Sequence, residues 1–186
     1  MTIETPSAII PAGKWTLVQD ESRIGFTVKR AGINKVTGEF KDYTATVHAG
    51  DAVADFSVEA VVKAVSFDSG DRTRDIRVRG KEFFNSAEYP ELKFSSTELK
   101  QDGDEFTLLG DLTIHGVTKP VEFEVEFKGL SRNEVGYPLA GFAAESVISR
   151  KDFGLKWDSP LDVGIVLSDK VTINLDLLFV DETQVL

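Results

Sequence analysis

Val121, Phe123, Val125 and Phe127 alternate without interruption with Glu122, Glu124 and Glu126. An apolar period of two suits an extended strand with one dry face and one wet face, because successive side chains point to opposite sides of the pleat. The pattern recurs through most of the chain. Ile24, Phe26 and Val28 share a face in 22–29, Val36, Gly38 and Phe40 share one in 35–48, and Phe56, Val58 and Ala60 oppose Asp55, Ser57 and Glu59 in 54–62. Leu92, Phe94 and Ser96 follow, then Phe106, Leu108, Gly110, Leu112 and Ile114, with the turn QDGDE between them marking a hairpin. Segments 117–130, 137–149 and 169–180 bring the total to about eight strands. The last sets Val171, Ile173, Leu175 and Leu177 against Thr172, Asn174 and Asp176.

Long strands joined by short turns, each with one apolar face, predict an all-β antiparallel sheet of eight strands that removes its edges by closing into a barrel. A sandwich is the alternative, but sandwich strands usually run to about five or six residues and several here are longer. Only 68–85, DSGDRTRDIRVRGKEFFN, breaks the alternation. Asp71 is a helix start signal, and Asp75 and Arg79 stand at the i,i+4 spacing of a helical ion pair. The spacing predicts a short helix or two between the third and fourth strands, laid across an open end of the barrel as a lid, with Phe83 and Phe84 as its apolar foot. Tyr89–Pro90 ends this excursion, because the residue before a proline is driven into extended backbone.

At 186 residues the chain is read as a single domain over 1–186, with its core over about 13–181, large enough to bury a full core without staples. The absence of cysteine excludes disulfides, thiolate catalysis and cysteine-held metals. A net charge of -10 argues against a nucleic-acid partner or an anionic membrane surface. No stretch approaches the roughly 18 apolar residues of a membrane-spanning helix. The start, MTIETPSAIIPAGKW, has no basic residue before Lys14 and no signal-peptide core, so the expected location is cytoplasmic, or periplasmic or secreted if the chain was trimmed and given a new Met1.

His48 and His115 are the only histidines, both at turns, and neither sits in a catalytic or metal-ligand spacing. No catalytic residue, metal site or cofactor is predicted. Arg72, Arg74, Arg77, Arg79 and Lys81 form a basic cluster in an acidic chain. On a helix Arg72 and Arg79 fall on one side and Arg74, Arg77 and Lys81 on the other. The cluster reads either as an exposed helix balanced by Asp71 and Asp75, or as one side guarding a pore and meeting a polar or phosphorylated lipid head. The small residues Gly38, Ala60, Ser96 and Gly110 on the inner faces read either as open space or as bends where strands coil.

Four segments in order, WTLVQDESRIGFTVKR with VTGEF, RDIRVRGKEFFNSAEYPELKFSST, GDLTIHGVTKPVEFEV and ISRKDFGLKW, make the chain resemble the YceI-like family of small barrel proteins that bind isoprenoid lipids. The resemblance runs from about Trp15 to Val180. It implies an extended lipocalin-like fold whose pore holds a long apolar ligand, with no catalytic activity attached.

Thirteen phenylalanines suit either a packed interior or a lined pore, since an eight-stranded barrel is at the size where side chains fill it or leave room for one ligand. The expected lining is Ile24, Phe26, Val28, Phe40, Phe56, Val58, Phe83, Phe84, Phe94, Leu112, Ile114, Phe123, Phe142, Phe153, Trp157, Ile173 and Leu175, with Arg74 and Arg77 at the head group. Phe153, Leu155 and Trp157 alternate in a loop with Gly154 and Ser159–Pro160, and are expected to cap one end of the barrel. The function predicted is binding, storage or transport of a polyisoprenoid, isoprenoid quinone or fatty amide. The alternative is an isomerase or hydrolase acting on such a lipid through Asp75, Glu145 or His115. A homodimer is left open, the Glu122, Glu124 and Glu126 face arguing against an interface there.

Overall fold

The structure, a computed structural model, describes residues 9–30, 34–156 and 167–183. Its strands are β1 (Gly13–Leu17), β2 (Arg23–Arg30), β3 (Asn34–Phe40), β4 (Tyr43–Ala49), β5 (Ser57–Lys63), β6 (Phe67–Asp68), β7 (Glu91–Asp102), β8 (Glu105–Ile114), β9 (Val117–Arg132), β10 (Pro138–Ser149) and β11 (Leu167–Val180), with one helix, α1 (Arg72–Arg79). Every pairing is antiparallel. Around the ring the order is β1-β4-β5-β7-β8-β9-β10-β11, and β11 pairs back onto β1, so the eight-stranded barrel closes. The residues that alternate in the sequence are the residues that face inward.

Three neighbouring strands bend at one level. β1 and β2 are halves of one strand parted by the turn Gln19–Glu21, β3 and β4 are parted at Lys41–Asp42, and β5 and β6 at Ala64–Ser66. The single strand predicted over 35–48 is therefore two, and the one predicted from Ala54 begins only at Ser57, after the turn Val53–Asp55. Bending a ladder breaks backbone pairs, and side chains replace them here. Gln19 donates to the carbonyl of Lys41 at 2.8 Å and accepts from the Tyr43 N–H at 3.2 Å. The Ser22 hydroxyl accepts from the Leu178 N–H at 3.0 Å and donates to the Val18 carbonyl at 2.8 Å. Tyr43 donates its hydroxyl to the Ser22 carbonyl at 2.8 Å, and burial, with Glu39 adding to it, pushes its phenol pKa up.

One end of the barrel is plugged. Ile10, Trp15, Val47, Ala140, Phe142 and Phe179 pack there, Trp15 and Ala140 wholly shielded from solvent. The Trp15 indole donates to the Pro11 carbonyl at 3.0 Å, so the ring is buried without an orphaned N–H. At the other end lie the lid segment between β6 and β7, the β8–β9 turn and the turn Arg150–Phe153. The β8–β9 hairpin turns on His115 and Gly116, both with positive φ (55° and 71°), the two-residue primed geometry that matches strand twist.

The inward glycines are neither open space nor simple bends. A Cβ on Gly110 would stand 2.4 Å from the Phe94 ring and 2.6 Å from the Ser95 carbonyl, and one on Gly38 would stand 2.4 Å from the Phe26 ring. Each glycine seats a phenylalanine from the neighbouring strand. Ser96 instead uses its hydroxyl to accept from the Val58 N–H at 2.8 Å, beside a register shift in the β7–β8 ladder between Ser96 and Glu98. Gly110→Ala is expected to destabilise the fold by about 1–3 kcal/mol through overpacking, because a backbone carbonyl stands in the way as well as a ring. Urea denaturation measures this, and Phe94→Leu in the same chain should recover only part of the loss.

Candidate functional site

A cavity of about 410 Å³ occupies the barrel interior. Of the seventeen residues expected to line it, Ile24, Phe26, Val28, Phe40, Phe56, Val58, Phe83, Phe84, Phe94, Leu112, Ile114, Phe123, Phe142, Ile173 and Leu175 do so. Phe153 does not: it is 2 % exposed and packs in the core beside Leu155, which reaches the cavity in its place. Trp157 lies outside the described residues, and so does the rest of the expected cap beyond Lys156. The described part of that loop packs on the barrel, Leu155 being 3 % exposed.

Sequence reasoning missed several lining positions. Val36, Leu108, Val125, Val171 and Leu177 stand on faces already recognised as apolar, and period two was the signal for them. Phe67 lies in a strand of two residues, too short to carry a pattern. It completes an aromatic cluster beneath the lid: Phe26 stacks on it at 4.9 Å between ring centres, and Phe40 and Phe84 meet it at 5.7 and 5.8 Å. Arg150 had no signal at all.

The lid forms as its sequence dictates. Asp71 caps α1, its carboxylate accepting from the Arg74 N–H at 3.0 Å. In place of the expected pairing of Asp75 with Arg79, each side chain has its own local partner. Asp75, 5 % exposed, accepts from the Ser69 hydroxyl at 2.6 Å and from the Ser69 N–H at 3.0 Å. Arg79 donates its Nε–H to the Phe67 carbonyl at 3.1 Å. Both tie the helix to the strand before it. Arg74 and Arg77 line the cavity and Arg72 is exposed, as helical geometry requires, but Lys81, expected on the side of Arg74 and Arg77, is exposed and stands beyond the end of α1 at Arg79.

Among the described residues, polar side chains reach the cavity only at the lid end: Asp71, Thr73, Arg74 and Arg77 from the lid, Lys93 near the start of β7, and Arg150. Arg150 is 5 % exposed and donates to three carbonyls, Leu155 at 2.7 Å, Ser168 at 2.9 Å and Leu167 at 3.0 Å. These bonds give each guanidinium nitrogen a partner without neutralising the charge. Beside it the Ser149 hydroxyl, at 2.6 Å, and the Lys151 N–H hold the Asp169 carboxyl below the usual range against the opposing effect of burial.

The three groups considered for catalysis are placed elsewhere. Asp75 is committed to Ser69, Glu145 is exposed on the outer face of β10 opposite Glu124, and His115 stacks edge-on against Tyr89 at 4.8 Å in the hairpin turn. His48 is exposed near the end of β4, at the plugged end, and no cluster of three metal-ligating side chains occurs among the described residues.

Removing the Asp75 carboxylate strands two donors on Ser69, so Asp75→Ala is expected to cost about 2–3 kcal/mol and to open the lid segment to proteases. Urea denaturation and limited proteolysis read the two effects separately. Because the Asp169 pKa is lower folded than unfolded, its contribution is present above about pH 4 and is lost as pH falls through the folded value. The stability gap between wild type and Asp169→Asn should therefore narrow on acidification, as followed by thermal melts.

A family model for the YceI-like domain matches residues 15–179. A UPF0312 protein of Photorhabdus laumondii is 35% identical over 159 residues, covering 85% of this chain and 83% of that one. Protein YceI of Escherichia coli O157:H7 is 39% identical over 137 residues, covering 73% and 71%. Among solved structures, BcnA of Burkholderia cenocepacia superposes with a TM-score of 0.74 at 25% identity over 87% of this chain and 98% of that one. A polyisoprenoid-binding domain from Saccharophagus degradans shares the fold, with a TM-score of 0.66 at 15% identity over 89% and 97%. The barrel, its lid and these matches together make the chain a member of the YceI-like family.

Proposed function

We propose that the protein is a non-enzymatic binding protein for one long-chain apolar molecule of the polyisoprenoid, isoprenoid-quinone or fatty-amide type. The tail lies in the barrel and the polar head beside Arg74 and Arg77. The observation that carries this reading is the distribution of polarity: a cavity of about 410 Å³ with an apolar wall and, among the described residues, polar side chains confined to the lid end. Its volume falls in the range of about 300–1,000 Å³ that ligand pockets occupy. The Saccharophagus degradans domain, described as binding polyisoprenoid, supports the ligand class through its shared fold. A carrier or reservoir needs no reacting group, and the wall offers the tail only dispersion and desolvation.

Affinity then comes from the tail. Each buried methylene contributes about 0.8 kcal/mol, so binding should tighten about fourfold per added carbon until the cavity is full and then level off. Mass spectrometry of organic extracts from purified protein is expected to find a stoichiometric long-chain molecule. Calorimetry with a homologous series of neutral prenyl alcohols should show the rise and the plateau. A repeatedly empty protein that also ignores chain length would remove the proposal.

A further inference from the structure

Charge is divided between the ends of the barrel. Among the described residues of the lid-end loops, Arg72, Arg74, Arg77, Arg79 and Lys81 are set against Asp71, Asp75, Glu82 and Glu88, and Arg150, Lys151 and Lys156 against Asp152. Asp75 is buried against Ser69, while Arg79 and Arg150 spend their described bonds on carbonyl oxygens and keep their charge. The loops of the plugged end carry Asp51, Asp55, Asp104, Glu134, Asp181 and Glu182 and, among the described residues, no lysine or arginine. Among the described residues the lid-end loops carry a net charge of +3 and the plugged-end loops -6, and the rest of the chain's -10 lies outside them.

Ile76 stands in the middle of the basic end. It is 60% exposed on α1, one turn after exposed Arg72 and on the side of the helix away from buried Val78. Val65, also 60% exposed, lies two residues before Phe67, whose carbonyl Arg79 holds. A helix this short and polar cannot sink into a bilayer, but an isoleucine with Arg72 and Arg79 one turn to either side can rest at a headgroup surface.

We propose that the lid end is a docking surface for an anionic lipid bilayer, with the outer face of α1 and Ile76 as the contact. The charge division orients the approach, because the acidic end is repelled as the basic end is drawn in. The inference rests on the lipid-binding reading of the cavity in one respect: a water-insoluble ligand must be exchanged with a membrane, and among the described residues the polar side chains bordering the cavity stand at this end.

The test is co-sedimentation of the intact protein with phosphatidylcholine vesicles and with vesicles half phosphatidylglycerol, at low ionic strength and at about 1 M salt, where screening reduces the Debye length to about 3 Å. Wild type should bind the anionic vesicles, release them in salt and ignore the neutral ones. A charge beside an anionic surface is worth about fivefold in partition, so Ile76→Glu and Arg72→Glu should each weaken binding by about fivefold or more. Val135→Glu makes the same exchange at a residue 78% exposed in the plugged end, and should leave binding within about twofold of wild type. Equal effects of the two glutamates, binding indifferent to lipid charge, or no binding would each overturn the docking site. Uptake of a fluorescent polyene from detergent micelles, measured on the same samples, keeps the two readings apart. Protein that takes up the polyene but fails to dock loses only this inference, and protein that docks without taking up the polyene loses the cavity function. All the substituted positions are exposed, and thermal melts establish that the variants fold.

Discussion

Two residue pairs, Thr16 with Val180 and Leu17 with Phe179, join β1 to β11 and turn an open sheet into a ring. The rest of the molecule depends on that closure. A barrel that keeps an apolar void along its axis forgoes the dense central packing that stabilises most domains. Its apolar inner face is enclosed because the sheet closes with no free edge to part. The apolar plug is built on the same spot, with Phe179 from β11 and Trp15 from β1 packed together. The side-chain bonds of Gln19, Ser22 and Tyr43 hold the neighbouring bend, where three strands would otherwise lose backbone pairing at once.

Faces were legible in the sequence and breaks were not. Period two picks out the inward residues because it depends only on the pleat, and fifteen of the seventeen expected positions border the cavity. The bends at Lys41–Asp42 and Ala64–Ser66 come from partners far away in the chain, as Gln19 reaching Lys41 and Tyr43 illustrates. No local pattern encodes them. The helix start was legible because an aspartate cap acts within three residues, from Asp71 to Arg74. Its ion pairing was not, since Ser69 and the Phe67 carbonyl competed for Asp75 and Arg79. Phe153 was misplaced because alternation was carried into a segment that is a tight turn, where period two no longer reports a face.

Groups that look reactive in isolation here serve geometry. His115 takes a positive φ that suits few side chains, and its ring rests on Tyr89, which fastens the β8–β9 turn to the end of the lid segment. Asp75 is a buried carboxylate whose accepting capacity is spent on one neighbouring serine. Arg150 binds the turn after β10 to the start of β11 through the carbonyls of Leu167 and Ser168, and braces the turn itself through that of Leu155. Charge is therefore used around the cavity to hold its rim, and the interior is left to apolar surface.

Ring closure between the first strand and the last has a consequence for the order of assembly. β1 meets β11 across a sequence separation of more than one hundred and sixty residues, from Leu17 to Phe179. Contacts this distant carry the largest loop-closure entropy and form late. Hairpins such as β7–β8 and β8–β9, linked by two-residue turns, can form while the chain is still incomplete. Until β11 arrives, β1 and β10 each present an unpaired edge, the arrangement most prone to pairing with another chain. The vessel is sealed by its last-made plank, and before that moment its apolar lining faces whatever surrounds it.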